Sequence, residues 1–243
     1  MTHTPPATER RAAVMLLSGG LDSTTVLALA SHERYDINAL TFRYGQRHEQ
    51  EVDVARRIAR HYGVARHVVI DIDLRTFGGS SLTTDEPVPK DRDGDAISRE
   101  IPSTYVPARN TIFLSFALAW AEVLGAHEIF IGVNALDYSG YPDCRPEYLA
   151  AFEKLAALAT RSGVQGEGAI RIRAPLLHLS KREIIELGAR LDVDYSMTTS
   201  CYDPAPDAAA CGRCDACALR RRGFAESGID DPTRYTAESV SRA

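Results

Sequence analysis

The stretch AAVMLLSGGLDSTTVLALA, residues 12–30, decides the fold of this chain. The six apolar residues that open it predict a buried strand. Ser-Gly-Gly at 18–20 predicts a tight loop, because glycine adopts backbone conformations that other residues avoid. Asp22 and Ser23 are residue types that often cap a helix, and the apolar content after them predicts that a helix follows. The stretch therefore predicts a strand, a glycine loop and a helix in direct succession.

Such a succession is a ready anion site, because backbone N–H groups and the helix N-terminus face a bound phosphate. The sequence contains no GxxxxGK[ST] pattern, which excludes the Walker type of phosphate loop. The spelling SGGLDS at 18–23 instead resembles the PP-loop of the ATP pyrophosphatase family, whose members cleave ATP to AMP and pyrophosphate. A strand-to-helix turn without a ligand is the alternative.

Composition and charge are ordinary for a globular protein. The chain has 243 residues, which is long enough to bury a full core. Of these residues 44% are hydrophobic and 25% are charged, as in other globular proteins. The formal net charge of −5 argues against a surface that coats nucleic acid. No apolar run approaches the roughly 18 residues that span a bilayer, and the stretch after Arg11 ends too soon for a signal peptide. We therefore expect a cytoplasmic enzyme with no membrane association and no stable nucleic-acid partner.

Further along the chain, strand patterns alternate with helical ones. Strands are predicted at 37–42, 67–71, 128–133 and 169–174, and helices at 46–62, 109–124, 147–162 and after Ser180, with Gly63 and Ser180 as caps and Glu183 completing a capping box. This alternation predicts an α/β fold with a doubly wound parallel sheet of five strands. Ligands bind beyond the carboxyl ends of such strands, where the loops 18–23 and 134–145 are expected.

One segment breaks the alternation. Residues 78–108 are rich in glycine and proline and predict a long excursion, of a kind that is usually functional and often a lid. We expect an α/β domain over residues 1–195 and a small C-terminal region over 196–243 that packs on it.

Four cysteines lie close together in that C-terminal region. They are Cys201, Cys211, Cys214 and Cys217, in the pattern C-x9-C-x2-C-x2-C. Four thiolates can close a tetrahedral zinc shell, and two-residue spacers let neighbouring sulfurs converge on one ion. The last two are expected at the first turn of the final helix. We predict a zinc-binding helical region; a [4Fe–4S] cluster and disulfides, which a cytosolic chain disfavours, are the alternatives.

Five motifs in order carry a closer resemblance. SGGLDSTT (18–25), YGQRH (44–48), YVPARN (105–110), DYSGYPDCRPE (137–147) and the four-cysteine tail look like those of the 7-cyano-7-deazaguanine synthase family, and the resemblance covers nearly the whole chain. It implies the PP-loop, adenine nucleotide alpha hydrolase-like fold. It also implies an ATP-dependent ligase that converts 7-carboxy-7-deazaguanine and ammonia into 7-cyano-7-deazaguanine through adenylated intermediates, in queuosine-type 7-deazapurine biosynthesis. Structural Zn²⁺, Mg²⁺ with ATP and a homodimer are further implications.

The resemblance and the chemistry together assign the ATP site. The residues assigned to ATP are Leu17, Ser18, Gly19, Gly20, Leu21, Asp22, Ser23, Thr24, Thr25, Val26 and Leu27. Much of such catalysis is positioning and neutralisation of phosphate charge. Asp22 is expected to hold Mg²⁺, whose preferred ligands are carboxylates and phosphates. The predicted catalytic residues are Asp22, Ser23, Arg109 and Lys181, the last two as cations beside the leaving pyrophosphate.

The loop 137–147 is the predicted substrate site. Its assigned residues are Asp137, Tyr138, Asp143, Arg145 and Glu147. A deazaguanine offers an N–H-rich edge to a carboxylate, a flat face to a tyrosine and its own carboxylate to an arginine. The alternative is that the tyrosines pack the loop and Arg145 forms a surface ion pair. His48 is expected to line the ATP pocket or to start a solvated helix. The arginines at 220–222 are predicted to lie on a solvated face or to complement the helix dipole, with RNA binding as the alternative.

Two other functions remain open at this stage. A PP-loop tRNA-modifying ligase or thiolase would use a catalytic cysteine and a dedicated RNA-binding domain, whereas only Cys144 is unclaimed and we find no segment for such a domain. A non-catalytic, zinc-stabilised nucleotide-binding module would not need the polar loop 137–147.

Overall fold

The five predicted strands form one parallel sheet. In the computed structural model, which describes residues 10–46, 50–92, 100–136 and 140–237, the strand order is β3-β2-β1-β4-β5. The strands are β1 (Ala12–Leu16), β2 (Asp36–Arg43), β3 (Arg66–Asp71), β4 (Glu128–Phe130) and β5 (Arg171–Arg173). All four neighbouring pairs are parallel, so the predicted α/β class is confirmed.

Helices follow the strands along the chain. They are α1 (Leu21–His32), α2 (Gln50–His61), α3 (Arg109–Leu124), α4 (Pro146–Ala159), α5 (Arg161–Gln165), α6 (Lys181–Arg190) and α7 (Asp215–Ser227). Single turns of 3-10 helix lie at Leu74–Thr76, Pro142–Cys144 and Tyr195–Met197. Within the described residues, no helix is long and apolar enough to cross a membrane.

The central strand separates two hydrophobic cores. Val14 and Leu16 belong to the core that holds the buried faces of α3 and α4, whereas Ala13 and Met15 belong to the core of α1, α2 and α6. Successive side chains of a strand point to opposite faces of the sheet, so β1 must be apolar throughout when helices cover both faces. The doubly wound arrangement is thereby confirmed.

Several element boundaries differ from the predictions. Strand β4 ends at Phe130 rather than at 133; the N–H of Ile131 still donates to the carbonyl of Arg173 at 3.0 Å, but the chain then leaves the sheet. The predicted helix 147–162 is two helices, because Thr160 breaks it and accepts a hydrogen bond from Gly163 N at 3.2 Å. Helix α2 begins at Gln50 rather than at 46.

The start of α1 also differs. The N-cap is Gly20, and the expectation that Asp22 or Ser23 caps the helix was wrong, since both lie in its first turn. The predicted capping box on α6 is confirmed, with Ser180 and Glu183 bonded reciprocally.

The predicted excursion packs on the C-terminal region. Within 78–92 and 100–108 the chain forms neither an α-helix nor a strand of the sheet. Three of its side chains pair with residues around the cysteines: Lys90 with Asp203 at 2.9 Å, Asp91 with Arg213, and Arg92 with Asp215 at 2.8 Å. The backbone of Lys90 also bridges that of Cys214. The excursion therefore holds the C-terminal region against the α/β domain; the domain boundary at 195 stays a prediction.

Candidate active site

Two serine side chains shape the loop between β1 and α1. Ser18 Oγ and Ser23 Oγ lie 3.0 Å apart, and Ser18 Oγ accepts a hydrogen bond from Gly20 N at 3.2 Å. Gly19 has φ +81°, and a Cβ at this position would lie 2.9 Å from Ala55 N on the neighbouring helix. Glycine is therefore required at 19 for both conformation and space, whereas Gly20, with φ −79°, needs no left-handed backbone.

Lys181 contacts this loop from α6. Its Nζ donates to both carboxylate oxygens of Asp22, at 2.7 and 2.9 Å, and its side chain is only 6% exposed. Gly223 makes room for it, because a Cβ there would lie 2.5 Å from Lys181 Cγ. The fold thus brings together two predicted catalytic residues that are 159 positions apart.

A cavity opens at the carboxyl edge of the sheet beside this pair. Its walls come from the loop after β1, the end of β2, the starts of α2 and α3, the segment after β4 and residues near the first cysteine. The described lining residues are Leu16, Leu17, Ser18, Gly20, Leu21, Asp22, Ser23, Leu40, Thr41, Phe42, Tyr44, Gln46, Glu51, Leu82, Arg109, Asn110, Phe113, Ile131, Gly132, Val133, Asn134, Tyr141, Cys144, Thr199, Ser200, Tyr202 and Ala216. This is the position at which parallel sheets bind ligands.

Arg109 places a positively charged guanidinium in the cavity, where two aromatic rings contact it. Its guanidinium donates to Tyr44 Oη at 3.4 Å and lies 5.7 Å from the centre of that ring and 5.9 Å from the ring of Phe113. Burial by itself lowers the pKa of Arg109, but the surrounding tyrosines and Asp143 outweigh it, and the net pKa is raised. The predicted cationic role of Arg109 is therefore compatible with its surroundings.

Not all of the stretch assigned to ATP faces the cavity. Leu17, Ser18, Gly20, Leu21, Asp22 and Ser23 line it. Val26 and Leu27 are fully buried in the core. Thr25 Oγ1 lies 2.9 Å from Tyr195 Oη, which ties α1 to the turn before the cysteines. The C-terminal part of the assigned stretch, 24–27, thus packs α1 rather than facing the cavity.

The predicted substrate residues lie in different surroundings. Asp143 is buried, and its Oδ2 accepts a hydrogen bond from Asn110 N at 3.0 Å, at the start of α3. Burial raises the pKa of this carboxyl. Arg145 and Glu147 are exposed at the start of α4 and do not line the cavity. Asp137, Tyr138 and His48 lie outside the described residues, so these assignments stay predictions.

Sequence reasoning did not assign most of the residues that line the cavity, among them two tyrosines and a glutamate. Tyr141 and Tyr202 line it, the former with its hydroxyl 2.8 Å from Thr104 Oγ1. Glu51 also lines it; burial raises the pKa of this carboxyl to about 7, although nearby Arg109 and Gln46 act to lower it. The sequence did carry one signal for Glu51, because it lies in the first turn of the helix that follows a strand end.

The four cysteines converge as predicted. Their Sγ atoms all lie within 4.8 Å of one another and all four residues are buried. A tetrahedral zinc shell with Zn–S bonds of about 2.3 Å needs sulfurs about 3.8 Å apart, so the donor set fits zinc. Cys214 caps α7 and Cys217 lies in its first turn, as expected. All five cysteines of the chain lie within the described residues and are free thiols.

Backbone N–H groups point at these sulfurs. Cys211 N donates to Cys201 Sγ at 3.2 Å, Asp203 N to the same sulfur at 3.3 Å, and Cys214 N to Cys211 Sγ at 3.4 Å. Such donors stabilise thiolates and orient them as ligands. The site is therefore preorganised for a metal ion that prefers sulfur.

The arginine run does not form a solvated face. Arg220 is 3% exposed, and it donates to Asp231 Oδ1 at 3.0 Å, to Thr198 Oγ1 at 2.8 Å and to the carbonyl of Tyr195 at 3.2 Å. The prediction of a solvated run was wrong at this position, because the acceptors come from segments distant in sequence. Arg222 is exposed, as predicted.

A strand, an SGGLDS loop and a helix start lie beside a cavity at the carboxyl edge of a parallel sheet, and this arrangement defines a protein of the PP-loop class. The model of the family described as "Queuosine biosynthesis protein QueC" matches residues 12–228 of this chain. The chain belongs to this family, so the family predicted from the sequence motifs is confirmed.

Curated relatives are similar over most of their length. The 7-cyano-7-deazaguanine synthase of Syntrophotalea carbinolica is 63% identical over 226 residues, which cover 93% of this chain and 97% of the relative. That of Solidesulfovibrio magneticus is 62% identical over 223 residues, covering 92% and 95%. The synthase of Geobacter sulfurreducens is 62% identical over 225 residues, covering 93% of each chain. Their shared name denotes an enzyme that forms a carbon–nitrogen bond, and the expectation of an enzyme rather than a binding module is confirmed.

Proposed function

We propose that this chain is an ATP-dependent ligase that converts 7-carboxy-7-deazaguanine and ammonia into 7-cyano-7-deazaguanine. One observation carries the proposal beyond family membership: Asp22, Ser23 and Arg109 line a single cavity, and Lys181 is bonded to Asp22 there. This arrangement suits a reaction that must bind a triphosphate and stabilise a leaving pyrophosphate. The relatives whose name describes this product support the choice of substrate.

The chemistry explains why ATP is needed. A carboxylate does not react with ammonia, so its oxygen must first become part of a good leaving group. Attack of the carboxylate on the α-phosphorus gives an acyl-adenylate and pyrophosphate, and ammonia then displaces AMP to give the amide. A second activation, of the amide oxygen, and loss of a second AMP leave the nitrile. Each nitrile therefore consumes two molecules of ATP.

The residues of the cavity divide this work. Backbone N–H groups at the start of α1, with Ser18 and Ser23, hold the phosphates. Arg109 and Lys181 place positive charge beside the leaving pyrophosphate, where it stabilises the developing charge. Asp22 fits as a magnesium ligand, because a carboxylate bonded to one lysine retains free lone pairs. Mg²⁺ bound with ATP would neutralise phosphate charge.

The remaining parts of the proposal concern substrate recognition, the bound metal, the oligomeric state and the cellular location. Asp137, Tyr138, Asp143, Arg145 and Glu147 recognise the deazaguanine, an assignment that rests on the family resemblance. The four cysteines hold a structural zinc ion. The enzyme is a cytoplasmic homodimer without a stable nucleic-acid partner, and its five free cysteines suit a reducing compartment.

One assay tests the proposal directly. The purified protein is incubated with 7-carboxy-7-deazaguanine, MgATP and ammonium, and the products are identified by mass spectrometry. We expect the nitrile with two AMP and two pyrophosphate per product, and no nitrile when any one reactant is omitted. ADP and phosphate as the sole nucleotide products would contradict the adenylate route. Modification of a tRNA without nitrile formation would support the tRNA-modifying alternative.

A further inference from the structure

The cavity contains a second carboxylate whose role is unassigned. Among the described lining residues, Asp22 and Glu51 are the two carboxylates. Both oxygens of Asp22 accept hydrogen bonds from Lys181, at 2.7 and 2.9 Å. Glu51 also lines the cavity, but it lies in the first turn of α2 rather than on the phosphate loop. It is half-buried, so it reaches the cavity without being sealed from it.

Charged and polar groups from two other elements face Glu51. Arg109, at the start of α3, and Gln46, after β2, both act on its carboxylate, and Tyr44 interacts with it electrostatically. Gln46 is held in place, because its Oε1 accepts from Tyr44 N at 2.7 Å and its Nε2 donates to the carbonyl of Phe42 at 3.2 Å. The Glu51 carboxylate therefore lies beside a Gln46 side chain whose orientation is fixed by backbone hydrogen bonds.

The proposed reaction releases protons from nitrogen. When ammonia attacks the acyl-adenylate, the bond between the carbonyl carbon and AMP breaks, and one N–H proton must leave to give the neutral amide. Attack of the amide oxygen on a second ATP expels pyrophosphate and leaves a protonated imidate. Conversion of this imidate to the nitrile breaks the bond to AMP and releases both remaining N–H protons. Three protons therefore leave one nitrogen atom, and each needs an acceptor.

We propose that Glu51 is the general base that accepts these protons, one at a time, returning each to solvent between steps. This inference rests on the function proposed above. It extends that function by assigning proton removal from nitrogen to Glu51. Asp22, Lys181 and Arg109 act instead on the phosphates and the leaving pyrophosphate.

The other ionisable groups of the cavity suit this role less well. Burial raises the pKa of Tyr44 and of Cys144 to about 12, so both hold their protons at neutral pH. Burial likewise raises the pKa of Tyr141. Glu51, with a pKa of about 7, is the group that gains and loses a proton near the working pH, which is what an efficient general base requires.

The test separates the activation of oxygen from the chemistry of nitrogen. Exchange of labelled pyrophosphate into ATP, dependent on the carboxylate substrate and run without ammonia, reports acyl-adenylate formation alone. Nitrile formation at constant free ammonia reports the whole sequence. Both are measured for the wild-type enzyme, Glu51→Gln, Glu51→Asp and the control Asp53→Asn, which removes an exposed carboxylate from the same helix.

We expect Glu51→Gln to keep pyrophosphate exchange within about threefold of wild type and to lose nitrile formation by at least about 100-fold. The wild-type rate of nitrile formation should fall below about pH 7; this decline should be absent in the glutamine variant and present in Glu51→Asp, which keeps a carboxylate. Asp53→Asn should match the wild type in both assays.

Three results would overturn the inference: nitrile formation by Glu51→Gln within a few-fold of wild type, an unchanged pH profile in that variant, or a parallel loss of exchange and nitrile formation. The last would assign Glu51 to binding or structure instead. Failure of the proposed function looks different, because the wild-type enzyme itself would then show neither exchange nor nitrile.

Discussion

Lys181 Nζ lies within hydrogen-bonding distance of both carboxylate oxygens of Asp22, at 2.7 and 2.9 Å. The lysine is the first residue of α6 and the aspartate lies in the first turn of α1, so two helix starts meet at one edge of the sheet. Positive charge at two helix N-termini and on a buried ammonium favours an anion there. The Asp22 carboxylate balances part of this charge.

We expect Asp22→Asn to lower ATP-dependent turnover at least about 100-fold, because the charge beside the phosphates is lost. It should also lower the free energy of unfolding by about 3 kcal/mol, since the ammonium of Lys181 stays buried without its counter-charge. Chemical denaturation and steady-state kinetics measure the two effects. The double variant Asp22→Asn with Lys181→Met should recover stability but not turnover. Wild-type turnover in Asp22→Asn would contradict the assignment.

Alanine substitutions at two glycines with positive φ distinguish the cost of backbone strain from the cost of steric crowding. Gly63→Ala places a methyl group in open space at φ +60°, so we expect it to cost about 1–2 kcal/mol of stability. Gly19→Ala at φ +81° would also place its Cβ 2.9 Å from Ala55 N and from Val54 Cγ1, and we expect a further loss of about 1–3 kcal/mol. Thermal unfolding compares the two variants. Equal losses would show that the phosphate loop can move away from α2.

Loss of one cysteine ligand should release the metal. We expect Cys214→Ser to lose zinc, measured by elemental analysis, and to destabilise the C-terminal region, because metal binding is coupled to folding. ATP affinity should fall as well, since Thr199 N donates to the carbonyl of Gly19 at 3.1 Å and the segment lines the cavity. Cys144→Ser, outside the cluster, is the control and should keep its zinc. Iron in a brown wild-type protein would indicate the cluster alternative.

The raised pKa of Glu51 predicts how stability depends on pH. The folded chain binds the proton up to about pH 7, whereas the unfolded chain releases it near 4.5, so ionisation opposes folding as the pH rises between these values. The full penalty, about 3 kcal/mol, applies above pH 7 and vanishes below 4.5. Glu51→Gln should therefore be more stable than wild type at pH 8 and no more stable at pH 4.5. Denaturant unfolding across this range checks it, and Asp53→Asn should show no such gain.

Arg145 tests the substrate assignment. A charge-assisted contact between arginine and carboxylate is worth about 1.5–3 kcal/mol, so Arg145→Ala should raise the apparent constant for 7-carboxy-7-deazaguanine about tenfold or more, with ATP affinity nearly unchanged. Arg222→Ala, an exposed arginine on α7, is the matched control. If Arg145→Ala binds the deazaguanine normally, the guanidinium does not contact the substrate, in keeping with its position outside the cavity lining.

Local patterns predicted the architecture well. The order of strands and helices, the capping box at Ser180 and the convergence of four cysteines were all confirmed. Each depends on residues a few positions apart, whose spacing determines which backbone conformation or ligand geometry is accessible. Boundaries were less predictable, as at Thr160, where one hydroxyl ends one helix pattern and begins another.

The pairing of charged residues that are distant in sequence depends on the tertiary structure and could not be predicted from local patterns. The sequence marked Asp22 and Lys181 as separate candidates, but only the packing of α6 against α1, with Gly223 of α7 beside the lysine, joins them. Arg220 is buried because Asp231 and Thr198 surround it, which an arginine run does not reveal.

By itself, the sequence determined the parallel α/β class, the phosphate loop, the sulfur site and the family, because these reside in contiguous motifs. Tertiary structure alone decided which side chains share the cavity, Glu51 among them, and which are buried against another element, such as Asp143, whose carboxylate accepts a hydrogen bond from Asn110 N at the start of α3. The physical reason is that burial and the pairing of charges depend on neighbours that the fold supplies, and the same carboxylate becomes a base, a ligand or a helix cap according to those neighbours.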